Sequence, residues 1–272
     1  MMSEAIAGAP PNKGRSSEST GNSPLDFHFV YFAQSFFTLL NRGLPMRCLI
    51  CLATVTALFF EFTPQSSRSA EPNRLPLIFQ EDFEEGAMNW EAKDPAGWKI
   101  TKTKLGQVYS QYKKESDYKP PHRSPFHMSL IKDVVVGDFE LTVQVRSTHA
   151  DYGHRDVCLF LGYQDPAHFY YVHLGKKTDD HANQVFIVND KPRTKISHKT
   201  TVGTNWDDQW HTVRIVRQIN NGLIAVYFDD LKNPIMLAQD KTFRRGRIGV
   251  GSFDDTGDWD NLRLRGIRVQ NK

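Results

Sequence analysis

Between residues 149 and 181 the sequence sets His149, His154, His168, His173 and His181 among Asp151, Asp156, Asp179 and Asp180. Histidine beside aspartate is the pairing that moves protons near neutral pH, because the carboxylate orients one ring nitrogen while the other titrates. No two of these histidines have a tight metal spacing such as His-Glu-x-x-His, so the pattern does not specify a zinc site. The same residues also read as loop histidines bonded to nearby backbone. A second concentration is the run Asp254-Asp255-Thr256-Gly257-Asp258-Trp259-Asp260-Asn261. Its aspartates repel one another unless solvated or neutralised, and calcium, which takes six to eight oxygen ligands, suits such a loop. The glycine and terminal glutamate of an EF-hand are missing, and the alternative is a solvated turn with Asp260 bonded to backbone amides. Cys158 sits in the apolar run Val157-Cys158-Leu159-Phe160-Leu161 and reads as a buried thiol.

The elements that must position these groups read as strands. After Leu75 the chain is a series of short runs of alternating polarity, broken by Gly, Pro, Asn and Asp, which is the pattern of a sandwich or barrel. Phe139, Leu141, Val143 and Val145 alternate with Glu140, Thr142, Gln144 and Arg146, so one set faces a core and the other faces away. Further strands are predicted at 156–163, 169–175, 184–189, 193–197, 210–217, 223–229, 235–238, 247–253 and 262–269. Their links carry turn residues, as in Gln164-Asp165-Pro166 and Asn220-Asn221-Gly222. No segment holds a helical apolar stripe over three turns.

In the strands at 156–163, 169–175, 184–189 and 193–197, alternation gives Val157, Leu159, Leu161, Tyr170, Val172, Leu174, Val185, Ile187 and Ile196 to the core. If these strands are neighbours, the opposite face collects Asp156, Tyr171, His173, Gln184, Arg193 and Lys195. Aromatic rings cover the apolar side of a sugar while charged and amide groups bond its hydroxyls, so this face is a candidate glycan site. The alternative is a solvated face with incidental polar residues.

Residues 210–217, 222–229, 246–253 and 260–264, together with Phe79-Gln80-Glu81-Asp82-Phe83-Glu84-Glu85-Gly86, Trp90 and Trp98, resemble concanavalin A-like jelly rolls. The resemblance is to laminin G-type domains and to secreted bacterial 3-keto-disaccharide hydrolase domains, and it covers nearly all of 75–272. It implies an all-β, two-sheet antiparallel sandwich. It also implies a structural calcium between the first and last strands, which would bring Glu81 or Asp82 towards Asp260. Two carboxyl groups must face one cleft to hydrolyse a glycosidic bond, and laminarinase-type members of this fold carry a Glu-x-Asp-x-x-Glu strand. No such strand is present. The segment Asp156–Tyr163 also departs from the Asn-Ser-Gly-Ile-type segment of the hydrolase domains, so no catalytic residue carries over.

The N-terminus is of a different kind. Residues 1–24 are rich in Ser, Gly, Pro and Asn. The apolar runs 27–40 and 48–60 are each shorter than the roughly 18–20 residues of a membrane-spanning helix. Met46-Arg47, the run 48–60 and the polar stretch ending in Ala70 have the build of a secretory signal peptide. The reading is an extension over 1–45, disordered or spurious, a signal peptide over 46–70, and one sandwich domain over 71–272. The competing arrangement is an uncleaved N-terminal anchor, the one membrane contact expected.

The formal charge of +3 over 272 residues and the absence of a basic stripe argue against nucleic acid as a partner. With one cysteine in the body, no disulfide inside the domain can hold it, and the core must. The expectation is a secreted, periplasmic or cell-envelope module that binds a glycan. The alternatives are a sugar-active hydrolase and a structural envelope protein.

Overall fold

A computed structural model describes residues 74–270, so the expected extension (1–45) and signal peptide (46–70) lie outside the described residues. The strands are β1 (Leu77–Glu81), β2 (Trp90–Ala92), β3 (Trp98–Thr103), β4 (Gly106–Gln111), β5 (His127–Ile131), β6 (Val136–Ser147), β7 (Asp156–Asp165) and β8 (His168–Gly175). They continue with β9 (Gln184–Asn189), β10 (Thr194–Lys195), β11 (Ser197–Thr200), β12 (His211–Gln218), β13 (Leu223–Phe228), β14 (Met236–Gln239), β15 (Arg247–Ser252) and β16 (Gly257–Arg268). One turn of 3-10 helix at Pro95–Gly97 is the only helical element among the described residues.

The strands form two antiparallel sheets. Sheet A runs β11-β14-β13-β12-β6-β16-β4-β3, with β1 also paired to β16, and sheet B runs β10-β9-β8-β7-β15-β5-β2. Hairpin neighbours are consecutive in sequence, as in β7-β8-β9 and β12-β13-β14. The centre of sheet A is not, because β6 lies between β12 and β16.

Between the sheets lies the main core. Leu141, Val143 and Val145 from β6, Val157, Leu159 and Leu161 from β7, Tyr170, Val172 and Leu174 from β8, and Trp259 from β16 are all essentially inaccessible. Each large apolar side chain so buried contributes about 1.5–3 kcal/mol. In β6 burial alternates along the strand as the sequence predicts, leaving Glu140, Thr142, Gln144 and Arg146 half-buried on the far face.

Sheet B departs from that pattern. Its central strands β5, β7, β8, β9 and β15 are buried on both faces, and the outer face forms a second apolar layer of Met128, Leu130, Cys158, Phe160, Phe169, Tyr171, Phe186 and Val188. The link between β4 and β5 reaches this face. The Arg193 amide donates to the Arg123 carbonyl at 3.1 Å, and Phe126 meets Phe253 edge-on, with ring centroids 6.3 Å apart. Gly251 of β15 makes room for the layer, because a Cβ there would run into the His127 carbonyl and the Phe160 ring.

Two predicted elements are redrawn. The strand expected over 193–197 is divided between the sheets, β10 pairing with β9 in sheet B and β11 with β14 in sheet A. The acidic run expected as a turn enters β16 at Gly257, so Asp258 and Asp260 are strand residues.

Candidate functional site

The register of sheet B explains which predicted residues meet. Cys158 lies directly across from His173, and Tyr171 across from both Phe160 and Phe186. Gln184 is opposite His173, and Lys195 is opposite Phe186. Opposed residues point to the same side of a sheet, so Asp156, Tyr171, His173, Gln184 and Lys195 share one face. That face is closed rather than open: Tyr171 is 0% exposed, and Asp156, His173 and Gln184 are each 4% exposed. The link between β4 and β5, Phe253 and the apolar layer occupy the space expected for a ligand.

Arg193 and Lys195 stay at its rim. The Arg193 guanidinium lies over Phe253, 4.5 Å from the ring centroid, and donates to the Tyr171 hydroxyl at 3.3 Å. Lys195 pairs with Asp180 at 2.6 Å and holds that carboxyl below its ordinary range. Gln184 donates to the Asp179 carbonyl at 2.9 Å and accepts from Ser197.

One end of the closed face is a buried polar network that pairs residues far apart in sequence. His173 Nε2 stands 3.3 Å from Asp156 Oδ2, and His173 Nδ1 accepts the Asn183 amide at 3.3 Å. The Asp156 amide donates to Asp255 Oδ2 at 2.7 Å, and the Tyr152 hydroxyl donates to Asp255 Oδ1 at 2.8 Å. His149 Nε2 is 3.4 Å from the same oxygen. Desolvation, with the charge of Asp156 next to it, pushes the Asp255 carboxyl up to about 6. Burial and the same carboxylates raise the Tyr152 phenol.

Donor atoms of Asp156, Cys158 and His173 lie within 4.8 Å of one another. A soft metal needs a thiolate and a free ring nitrogen. Here burial raises the Cys158 thiol far above its usual range. His173 accepts the Asn183 amide at Nδ1 and turns Nε2 towards Asp156. As arranged the trio is a hydrogen-bonded cluster, and a metal ion would have to take its donors from their present partners and displace the thiol proton.

The other predicted histidines are dispersed. His168 is held between Asp165 at 2.8 Å and Asp190 at 3.0 Å, and these bonds raise its pKa above the ordinary value. His154 is exposed, 3.8 Å from Asp179, and His181 is exposed on its loop.

The aspartates of the 254–260 run do not converge on a single cation. Asp255 turns to Tyr152, while Asp258 takes Arg146 at 2.6 Å and the Ser110 hydroxyl at 2.6 Å. Asp260 accepts both the backbone and the side-chain amide of Asn261. Pairing of β1 with β16 does bring the first and last strands together, with Glu81 opposite Leu262. Glu81 is occupied by the Phe83 amide and the Asn89 side chain. Burial and the nearby charges of Glu84 and Asp82 raise the Asp260 carboxyl. A hard cation takes carboxylate oxygens, and Asp82 with Asp260 fits that donor type.

The open sheet face belongs to sheet A. A groove of about 1260 Å³ runs over β12, β6 and β16. Register sets Arg214 and Arg263 on either side of Thr142, and Val216 and Arg265 on either side of Glu140. Arg214 pairs with Glu140 at 3.1 Å, donates to the Leu231 carbonyl at 3.0 Å, and lies 5.0 Å over the Tyr227 ring. Arg265 donates to the Leu75 carbonyl at 3.2 Å. Sequence reasoning missed this face. Alternation marks its residues as outward, but their meeting depends on the pairing of β6 with both β12 and β16.

No family model matches the chain, and no curated protein does at a significant level. Among solved structures it is similar to a Bacillus subtilis protein of unknown function with a galectin-like fold, at 10% identity and TM-score 0.51. That match covers 73% of this chain and 99% of the other. It is also similar to domain 4 of AbnA, an extracellular GH43 arabinanase of Geobacillus stearothermophilus solved with arabinotriose. The identity is 11% and the TM-score 0.49, with 73% and 96% of the two chains covered. A third match is carbohydrate-binding module CBM66 of Bacillus subtilis, at 15% identity and TM-score 0.46, covering 65% and 96%. The fold is a concanavalin A-like jelly-roll sandwich. At these identities a jelly roll tells the architecture, and function has to be argued from its faces.

Proposed function

We propose that this jelly roll is a non-catalytic glycan-binding module of a secreted or cell-envelope protein. The carrying observation is the open groove of sheet A, where Arg214, Thr142, Glu140, Arg263 and Arg265 project from three hydrogen-bonded strands. Forked guanidinium donors bond the oxygens of a sugar in pairs, and strands hold them in fixed register. The named sugar-binding neighbours, the arabinanase domain and the carbohydrate-binding module, accord with that reading. The rim of sheet B at Arg193 and Lys195 is a second, smaller place for a sugar. The residues beneath it, Asp156, Tyr171, His173 and Gln184, act as its support.

A glycan array probed with the full chain and with Arg214→Ala tests this. Binding by the parent that Arg214→Ala loses is the expected result. An array with no binding, or one unchanged by that variant and by Arg193→Ala, overturns the reading. A hydrolase is the alternative, and turnover of a 3-keto-glucoside by the purified protein would select it. The calcium reading rests on Asp82 and Asp260, whose carboxyl charges act on one another near the pairing of β1 with β16.

A further inference from the structure

The groove on sheet A carries a chemical bias that narrows its ligand, given that the glycan reading holds. Its charged lining consists of Arg74, Arg214, Arg263 and Arg265 against Asp138 and Glu140, with Arg217 turned inward onto the Gly222 and Phe243 carbonyls. Both carboxylates are already engaged, Glu140 by Arg214 and Asp138 by the Ile219 amide at 2.6 Å. Among the described residues the Arg263 guanidinium makes no hydrogen bond or ion pair, and it stands exposed.

Neutral sugars are held largely by an aromatic ring against their apolar C–H face. This groove offers none. Its one lining aromatic, Phe139, is turned into the core, and the ring face of neighbouring Tyr227 is covered by Arg214. Guanidinium groups bind carboxylate and sulfate through two parallel bonds, which lysine cannot do. Adjacent strands lie about 4.8 Å apart, so Arg214 and Arg263, with Thr142 between them, stand roughly 10 Å apart at the backbone. Arg265 follows Arg263 two residues along the same face. Arg214 and Arg265 are pinned by their own contacts, so little side-chain freedom is lost on binding.

We propose that the sheet A groove binds an anionic glycan, with Arg263, Arg265 and Arg214 receiving its carboxylate or sulfate groups. Titration of the full chain with polygalacturonate, dextran sulfate, neutral dextran and a single-stranded oligonucleotide tests it. One or both acidic polysaccharides should bind at least about tenfold more tightly than dextran. The better of the two tells carboxylate from sulfate. Arg263→Glu and Arg265→Glu should each weaken that binding about tenfold or more at an unchanged melting temperature, while Lys104→Glu, remote in the β3–β4 turn, should not. Equal binding of dextran, unaffected by Arg263→Glu, overturns the anionic class and leaves glycan binding standing. Acidic binding that survives both reversals overturns the location. Binding to no polysaccharide removes both readings, and equal binding of the oligonucleotide overturns recognition of a glycan as such.

Discussion

His173 Nε2 faces Asp156 Oδ2 at 3.3 Å beneath the apolar cover of sheet B, each side chain about 5% exposed. A pair buried this deeply is an obligation: removing one partner leaves the other polar and dry. Asp156→Ala should therefore destabilise the fold by about 1–3 kcal/mol, and Asp156→Asn, which keeps an acceptor, by less. Urea denaturation of the two variants checks the order. Equal and negligible losses would sink this account of the pair.

Tyr171 is packed flat on Phe186, with ring centroids 5.0 Å apart and planes 18° from parallel. Tyr171→Ala should lose roughly 3–5 kcal/mol through the cavity it opens. Tyr171→Phe keeps the ring and forfeits only the bond from Arg193, so its cost is about 1 kcal/mol. The measurement is again the denaturant midpoint. A Tyr171→Ala protein as stable as the parent would show that the layer is not packed as described.

Asp255 gives the fold a pH dependence. Its carboxyl has an ordinary value of 3.8 and is raised to about 6 by burial and by Asp156. The folded state thus holds a proton that the unfolded chain gives up. The stabilisation is full below 3.8 and is lost as pH rises through 6. Asp255→Asn should flatten that decline while still accepting the Asp156 amide. Melting temperatures across about pH 4 to 7 test it, and a variant with the parent's slope would contradict it.

If an ion bridges Asp82 and Asp260, calcium should raise the melting temperature relative to chelator, as any ligand of the native state alone does. Asp260→Asn should remove that response. Identical melting with calcium and with chelator decides against the ion.

Much of the architecture was legible because alternation in strands such as β6 follows directly from the pleat. The limits of alternation also explain what was misjudged. It separates two faces of a strand without saying whether something distant covers the second one. The apolar composition of that second face, with Phe160, Phe169, Phe186 and Val188, was the available sign that sheet B is buried on both sides. The meeting of Cys158 and His173 was recoverable from the short link between β7 and β8, which fixes their register. The sheet A groove was not, because Arg214 and Arg263 are joined only through a strand some seventy positions before the first of them in the chain.

The central strands of sheet B have no wet side. The amides of β7, β8 and β15 can exchange with solvent only when a whole cover lifts, so they report the opening of the entire molecule. Sheet A presents one face to water, and the side chains there hold up nothing above them. The two sheets divide the work between permanence and choice. Substitutions in one are judged by whether the protein survives, and in the other by what it recognises.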